Sequence, residues 1–275
     1  MTNEVFSFKR FWTYFKYDLV QLGRRHAKPA LMIAGSGLIL YIAWVAGSLV
    51  FDHSWSAPSL TARVVVAFLS AAVLELFYAY LYGFVTDRRK GASYLMVPAS
   101  TTEKFVSILL NALIVIPVVF ICVQLGVDAL LCLADPTMEG TMAAGGYDTY
   151  VKLLNRISED EEVAFLTSSL TGFSIMTLLS GAFNYLYFLL CGMCFRKNKI
   201  VGAIVIAMGV SFVMSLVFGL FAPQLVTWAE SISDIDLDQG RELLTGMITW
   251  MNVVTGLLVV GVAGGIFYRL KTLKH

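Results

Sequence analysis

Long apolar runs constrain this chain more than any other feature. Six segments are apolar over about 20 residues or more, the length that an α-helix needs to cross the hydrocarbon core of a bilayer. They lie at about 30–51, 62–86, 104–134, 165–195, 200–222 and 247–269. Because 58% of the 275 residues are hydrophobic and only 14% are charged, a polytopic membrane protein is indicated. We therefore expect an all-α fold with six transmembrane helices.

The charged residues predict an orientation for these helices. If the N-terminus is cytosolic, then the segments 1–28, 87–104, 195–199 and 269–275 face the cytosol and hold 16 of the 20 Lys and Arg residues. The opposite side then holds 13 of the 19 acidic residues. Cytosolic loops of membrane proteins carry an excess of Lys and Arg, so the pattern places both termini in the cytosol. No cleavable signal peptide is evident, and we expect the first span to remain as an anchor.

Residues 1–28 are predicted to form an amphipathic helix ahead of a transmembrane domain at 29–275. Apolar side chains recur at helical spacing along one face: Phe8, Phe11, Trp12, Phe15, Leu19 and Leu22. The other face carries Lys9, Arg10, Lys16 and Asp18. Such a helix lies on a membrane surface. It is either an elbow helix that leads into the first span at Pro29, where a proline can begin a helix, or a general interfacial anchor.

The loop at 87–104, between the second and third spans, contains two local signals. Ser100 and Glu103 have the spacing of a capping box, so the third span is expected to start there. Pro98 prevents that helix from extending backwards, which leaves 88–97 free to form a separate short element. This element would carry Tyr94, Leu95, Met96 and Val97 toward the cytosol. An exposed apolar patch of this kind usually marks a binding site for a partner.

In this loop the chain resembles the permease subunits of ABC-2 type transporters. That family carries a charged cluster, Gly-Thr, a short apolar run, Pro, a small residue, Ser and often Glu between spans two and three. The corresponding residues here are Asp87 to Lys90, Gly91-Ala92, Leu95 to Val97, and Pro98-Ala99-Ser100 with Glu103. The chain departs from the family pattern at Ala92, which replaces Thr, and in a charged cluster that is richer in Arg and Lys than in Glu. The six spans, cytosolic termini and elbow helix also match the layout of the family.

The resemblance implies a multi-pass permease subunit of the bacterial inner membrane that exports a hydrophobic or amphipathic compound. It implies that a separate ATPase docks on the loop through Arg88, Arg89, Lys90, Gly91, Tyr94, Leu95, Met96 and Pro98. It also implies pairing with a second copy or with a related permease. The chain lacks the Gly-x4-Gly-Lys-Ser/Thr phosphate loop, so we expect no catalytic residues, with ATP and Mg²⁺ bound by the partner. The lipid bilayer is a further expected partner, and no nucleic-acid partner is expected.

A carboxylate near the middle of the second span is a second candidate site. A charged Glu75 would be costly to bury in a membrane, and an ionisable residue within a span is by default a hypothesis for a functional site. Tyr78 and Tyr82 share its helix face, and the resemblance agrees that this face borders a translocation pathway. Alternatively, Glu75 is protonated and hydrogen-bonded to a neighbouring helix, with Asn184 or Gln124 as the candidate partner.

Three further polar or thiol-bearing residues in the spans are expected to be structural. Asp128 lies near the external end of the third span, where we expect water to solvate it. Cys191 and Cys194 form a Cys-x-x-Cys, but the sequence has no second pair at zinc spacing. They are therefore interpreted as packing residues, and no metal site is predicted.

Two other classes of function remain open from the sequence. In a membrane sensor or scaffold, the same loop would bind a partner that is not an ATPase, and no pathway would be needed. An intramembrane enzyme is the other alternative. Against it, the only histidines are His26, His53 and His275, and no His-Glu-x-x-His motif or convincing pair of intramembrane carboxylates is present. For the loop itself, the alternative to partner docking is a basic anchor followed by a capped helix.

Overall fold

The computed structural model describes most of the chain, and all regular structure in the described residues is helical. The described residues are 6–51, 53–86, 91, 94, 96–159, 161–195, 197–212, 215–216 and 237–272. The helices are α1 (Phe8–Ala34), α2 (Ser36–Phe51), α3 (Leu60–Leu81), a 3₁₀ turn (Gly83–Thr86), α4 (Thr101–Leu110), a π-helix (Asn111–Val115), α5 (Ile116–Ala134), α6 (Met142–Glu159), α7 (Glu161–Cys194), α8 (Lys199–Phe212) and α9 (Leu237–Thr272). The all-α fold expected from the sequence is confirmed.

Within the described residues, four helical segments are long and apolar enough to cross a membrane: Leu60–Thr86, Thr101–Ala134, Thr171–Cys194 and Thr245–Thr272. A fifth span is present if α1 and α2, which are bent by 43° relative to each other, are taken as one broken span. The described part of the span predicted at 200–222 is α8, which is shorter than these four. The rest of that prediction lies largely outside the described residues.

Helix α1 continues beyond the position where the sequence suggested a boundary. Pro29 lies inside the helix, and the break follows at Gly35. A Cβ on Gly35 would lie 2.9 Å from the Leu31 carbonyl oxygen, so the absence of a side chain there relieves a close contact at the break. The first break therefore comes one to two turns later than Pro29. The placement of residues 8–28 on the membrane surface stays a prediction.

The core lies where α1, α3, α4, α7 and α9 meet. Its fully buried members include Leu74, Tyr78, Tyr82, Ile108, Leu186, Leu189, Met193 and Ile266. Helices α3 and α7 approach closely because Gly192 packs on the backbone of Ala79, where a Cβ would overlap the carbonyl group. This close contact fixes the C-terminal half of α3 against α7.

The other end of α3 is held by a buried ion pair. In the first turn of α3, Arg63 donates to the Asp128 carboxylate of α5 at 2.6 Å, and both side chains are almost fully buried. Asp128 also accepts the backbone N–H of Met142 at 2.6 Å, and Arg63 also donates to the carbonyl of Gly140 at 2.8 Å. The expectation that water solvates Asp128 is therefore wrong. A cation from another helix and a backbone amide take the place of water.

Candidate functional site

A buried carboxylate lies at the centre of the junction between α1 and the helices on either side of the 87–104 loop. Asp18 of α1 is 4% exposed, and a single oxygen, Oδ2, accepts three hydrogen bonds. The donors are the Tyr82 hydroxyl at 2.7 Å, the Ser107 hydroxyl at 2.7 Å and the Asn111 amide at 3.1 Å. We call Asp18, Tyr82, Ser107 and Asn111 the loop junction. It joins α1, the end of α3 and the start of the third apolar segment through neutral donors.

The third apolar segment changes its helical geometry at the loop junction. Asn111 begins the π-helix, and the segment returns to α-helix at Ile116. Pro117 follows directly and lacks the N–H that an α-helix would use to bond the preceding turn. A π-helical turn inserted in an α-helix often occurs at a functional site. Here it turns the Asn111 amide toward Asp18 and Tyr82, to which it donates at 3.1 Å in each case.

The end of the loop is attached to α1 by a second carboxylate. Glu103 and Ser100 form a capping box: the Glu103 N–H donates to the Ser100 hydroxyl at 3.2 Å, and the Ser100 N–H donates to the Glu103 carboxylate at 2.9 Å. The same carboxylate pairs with the Arg10 guanidinium at 2.7 Å and accepts the Ser7 N–H at 2.9 Å. The start of α4 and the start of α1 are thus held together by one side chain.

Only part of the predicted docking surface lies in the described residues. Tyr94 is 7% exposed, its ring packs edge-on against Phe84, and its carbonyl accepts a hydrogen bond from Lys104 at 3.0 Å. Met96, in contrast, is 82% exposed. The expectation that Tyr94 is carried outward with Met96 is wrong, because Tyr94 fills the space between the 3₁₀ turn and α1.

Of the remaining residues predicted to dock a partner, Gly91 is buried and Pro98 is exposed. Arg88, Arg89, Lys90 and Leu95 lie outside the described residues. Among the described residues, Met96 and Pro98 are therefore the predicted docking residues that are exposed. Their role in docking stays a prediction.

The predicted pathway face of α3 divides into a buried part and a half-buried part. Tyr78 is fully buried, donates its hydroxyl to the Ala112 carbonyl at 2.7 Å and stacks on Tyr185 at 4.6 Å. Tyr82 belongs to the loop junction. Glu75 is half-buried and interacts with the Asn184 amide of α7, one of the two partners suggested from the sequence. A pathway role for these residues stays a prediction.

The second suggested partner of Glu75 is engaged elsewhere. The Gln124 amide of α5 donates to the Ser70 hydroxyl of α3. Among the described residues, no group of three or more His, Cys, Asp or Glu side chains is placed to hold a metal ion. The site therefore consists of a set of hydrogen bonds that couples the loop to the helices, together with the exposed side chains of Met96 and Pro98.

The loop junction is difficult to predict from sequence. The helical pattern places Asp18 on the polar face of an amphipathic helix, whereas it is buried, and it does not point to Ser107 or Asn111. One signal was present: Asn111 lies in a long apolar run, where a polar amide needs a partner. Its position one turn after Ser107 and on the same helix face would have supported a buried polar cluster.

Comparison with known proteins gives no assignment for this chain. No family model, no curated protein and no solved structure matches it. The geometry of the loop junction and the residues of the loop are therefore the features from which a function can be proposed.

Proposed function

We propose that this chain is the membrane-spanning permease subunit of an ABC-2 type exporter and moves a hydrophobic or amphipathic compound across a bacterial inner membrane. In this proposal the chain crosses the membrane six times with both termini in the cytosol. It pairs with a second copy or a related permease. A separate ATPase subunit docks on the 87–104 loop and supplies the energy of ATP hydrolysis.

The observation that carries the proposal is the contrast between Met96 and the residues on either side of it. Met96 is 82% exposed, whereas Tyr94 is 7% exposed and Ser100 is also 7% exposed. Methionine is a flexible, polarisable side chain that is frequent at binding surfaces. A partner that contacts Met96 would therefore push on a segment that is anchored on both sides.

The anchors lead directly into the apolar helices. Lys104 holds the backbone of Tyr94, and Glu103 joins the start of α4 to Arg10 of α1. One helical turn further on, Ser107 joins the third apolar segment to Asp18 of α1. Displacement of the loop would move α1 and the third apolar segment together, which is what an energy-coupling loop has to do.

The test is co-purification of the tagged full-length chain from its native membrane in mild detergent. We expect a Walker-type ATPase in stoichiometric amount with the wild type, and its loss with Met96→Asp. Leu95→Asp and charge reversal of Arg88 and Arg89 are expected to act in the same way. Carbonate extraction of the membranes checks that each variant is still inserted.

A matched control is available at the opposite end of α3. Tyr147 of α6 is 71% exposed, and the same helix packs at Gly145 against Leu60, the first residue of α3. Tyr147→Asp introduces the same charge on an exposed apolar side chain and should leave the ATPase bound. If the complex persists in Met96→Asp and Leu95→Asp, the docking assignment is wrong.

A transport assay in vesicles separates this proposal from a sensor or scaffold. We expect Glu75→Leu to reduce ATP-driven transport of the substrate while the ATPase stays bound, because Glu75 is a half-buried carboxylate on an apolar helix. A scaffold would be unaffected by this substitution. Binding of a partner other than an ATPase at Met96, with no effect of Glu75→Leu, would favour the scaffold.

A further inference from the structure

A largely apolar groove separates part of α1 from α3 and α5. Its volume is about 340 Å³, within the range of about 300–1,000 Å³ that is typical of ligand pockets. Helix α1 contributes Gly23 and Ala27, α3 contributes Leu74, and α5 contributes Val119 and Phe120. The groove is therefore large enough for a ligand, and its walls favour an apolar one.

Small side chains on α1 keep this groove open. A Cβ on Gly23 would have no atom of the chain within 4 Å, so the packing of the chain does not require glycine there. Glycine inside a helix lowers helix stability relative to alanine. Ala27 and Ala30 follow along the same face. The wall of α1 is thus set back from its neighbours over more than two turns.

A basic cluster lies beside the groove on α1. Arg24, Arg25 and Lys28 flank groove-lining residues on α1, and the sequence contains no Asp or Glu between positions 19 and 51. The Arg25 guanidinium stacks on the ring of Phe84 at 4.0 Å, just beyond the C-terminus of α3. Arg25 therefore reaches the loop end of α3, and Arg24 and Lys28 are exposed on the same helix.

The groove extends along α1 past this cluster. It reaches Ala34 at the end of α1, Leu74 of α3 and Val123 of α5. A molecule that fits would have an apolar body in the groove and a negative charge where the groove passes the basic cluster. A phospholipid with an anionic headgroup has this shape, and a juxtamembrane cluster of Lys and Arg attracts anionic lipids.

We propose that this groove binds an acyl chain of one anionic phospholipid, whose phosphate is bound by Arg24 and Lys28. The proposal rests on the placement of the helices in a membrane, which is one part of the proposed function, and does not depend on ATPase docking. An apolar groove alone would accept any lipid chain. The basic cluster selects the anionic headgroup.

Native mass spectrometry of the full-length chain tests this selectivity. The protein is released from micelles that contain equal amounts of phosphatidylglycerol and phosphatidylcholine with the same acyl chains. We expect one retained lipid per chain, with phosphatidylglycerol in excess. In Arg24→Gln/Lys28→Gln the preference should fall by about fivefold for each charge removed, since one basic residue near a membrane surface contributes about a factor of five.

Two controls make the result decisive. Lys9→Gln/Lys16→Gln removes the same charge from the same helix, away from the groove, and should leave the preference unchanged. Gly23→Leu fills the groove and should reduce retention of both lipids. If Gly23→Leu does not fold, Ala27→Met serves as the groove-filling variant. An equal loss of preference in the Lys9/Lys16 variant would overturn the proposal, because it would indicate a general charge effect.

Other outcomes would overturn the proposal as well. These are no retained lipid in the wild type, unchanged retention when the groove is filled, or a dimer that is lost on filling the groove, which would make a second copy the occupant. Carbonate extraction tests separately whether the chain is an integral membrane protein, so a failure of the lipid site can be told apart from a failure of membrane insertion. A wild type that retains phosphatidylglycerol but binds no ATPase would contradict the proposed function and leave the lipid site intact.

Discussion

Helix α3 has a buried carboxylate at each end, and the two carboxylates are compensated differently. At its first turn, Asp128 pairs with the Arg63 guanidinium at 2.6 Å. At its last turn, Asp18 accepts hydrogen bonds from two hydroxyls and one amide, of which the Tyr82 hydroxyl belongs to the residue that caps α3. The far end therefore contains a closed ion pair, whereas the loop end contains a carboxylate held by neutral donors.

This difference indicates which end of α3 is suited to movement. An ion pair buried away from water is stable only while both charges stay together, because separation leaves each charge without solvent. Hydroxyl groups rotate and form hydrogen bonds in several directions, so neutral donors can rearrange around Asp18 at lower cost. We infer that the far end is the fixed end of the helix and that the loop junction is the adaptable one.

The same substitution at both ends gives the largest expected contrast. Asp128→Asn leaves the Arg63 cation buried without an anion and should lower the free energy of unfolding by about 3–5 kcal/mol. Asp18→Asn keeps an oxygen acceptor for the neutral donors and should lower it by about 1–3 kcal/mol. Denaturation of the detergent-solubilised protein, followed by circular dichroism, measures both values. Equal losses at the two ends would contradict the comparison.

Removal of single donors from Asp18 sharpens the comparison at the loop end. Tyr82→Phe deletes the hydrogen bond to the Asp18 carboxylate, together with the weaker one accepted from the Asn111 amide, and should lower the free energy of unfolding by about 1.5–3 kcal/mol. Tyr78→Phe, four residues earlier on α3, deletes a hydrogen bond to a backbone carbonyl and should lower it by about 0.5–1.5 kcal/mol. Both hydroxyls are buried, so each variant is the control for the other in the same denaturation experiment. A smaller effect for Tyr82→Phe would show that Asp18 is not the stronger acceptor.

Loss of the helix cap should give a smaller effect, confined to the loop end. Ser100→Ala removes the hydroxyl that accepts the Glu103 N–H and should lower the free energy of unfolding by about 1 kcal/mol. Faster hydrogen exchange is expected in the first turn of α4 and not around Arg63. Ser100→Thr, which keeps the hydroxyl, should retain most of the protection. Unchanged exchange in Ser100→Ala would mean that the Glu103–Arg10 pair alone fixes the start of α4.

The features that sequence could predict at the two ends are local ones. The capping box joins residues three apart, so its pattern is visible in the chain. The Arg10 partner of Glu103 lies 93 residues away, and the Arg63 partner of Asp128 lies 65 residues away. No local pattern indicates such contacts, which is why Asp128 was assigned to water. The same distance in sequence hid the role of Asp18, whose position on a helical wheel suggested exposure.

The apolar segments were predictable to a different degree. Length and hydropathy located the spans at 62–86 and 104–134, because those properties are sums over many residues. They did not show the break at Gly35 or the π-helix at Asn111, which depend on a single close contact and on a local change of hydrogen-bonding pattern. Sequence thus gave the class of fold and most of its long helices, while the irregular positions that shape the site needed the structure.

A third carboxylate extends the comparison to the loop at the far end of α3. Asp135 follows α5, and its pKa is lowered to about 2 by hydrogen bonds from the side chain and backbone of Thr137 and from the Tyr41 hydroxyl, with a further one from the Trp55 indole. An unfolded aspartate has a pKa of about 3.9. The contribution of Asp135 to stability is therefore fully present above about pH 4 and is lost as the pH falls toward 2.

This loss should be the smallest effect and should be observed at the loop, where the Trp55 indole donates to Asp135 at 3.1 Å. Protonation of Asp135 removes the charged acceptor of the Trp55 N–H. We therefore expect the Trp55 fluorescence to change between about pH 4 and pH 2, measured in a variant in which the other tryptophans are replaced by phenylalanine. Asp135→Asn should abolish that change. If the transition persists in Asp135→Asn, another group controls the loop, and the far end is less rigid than its ion pair suggests.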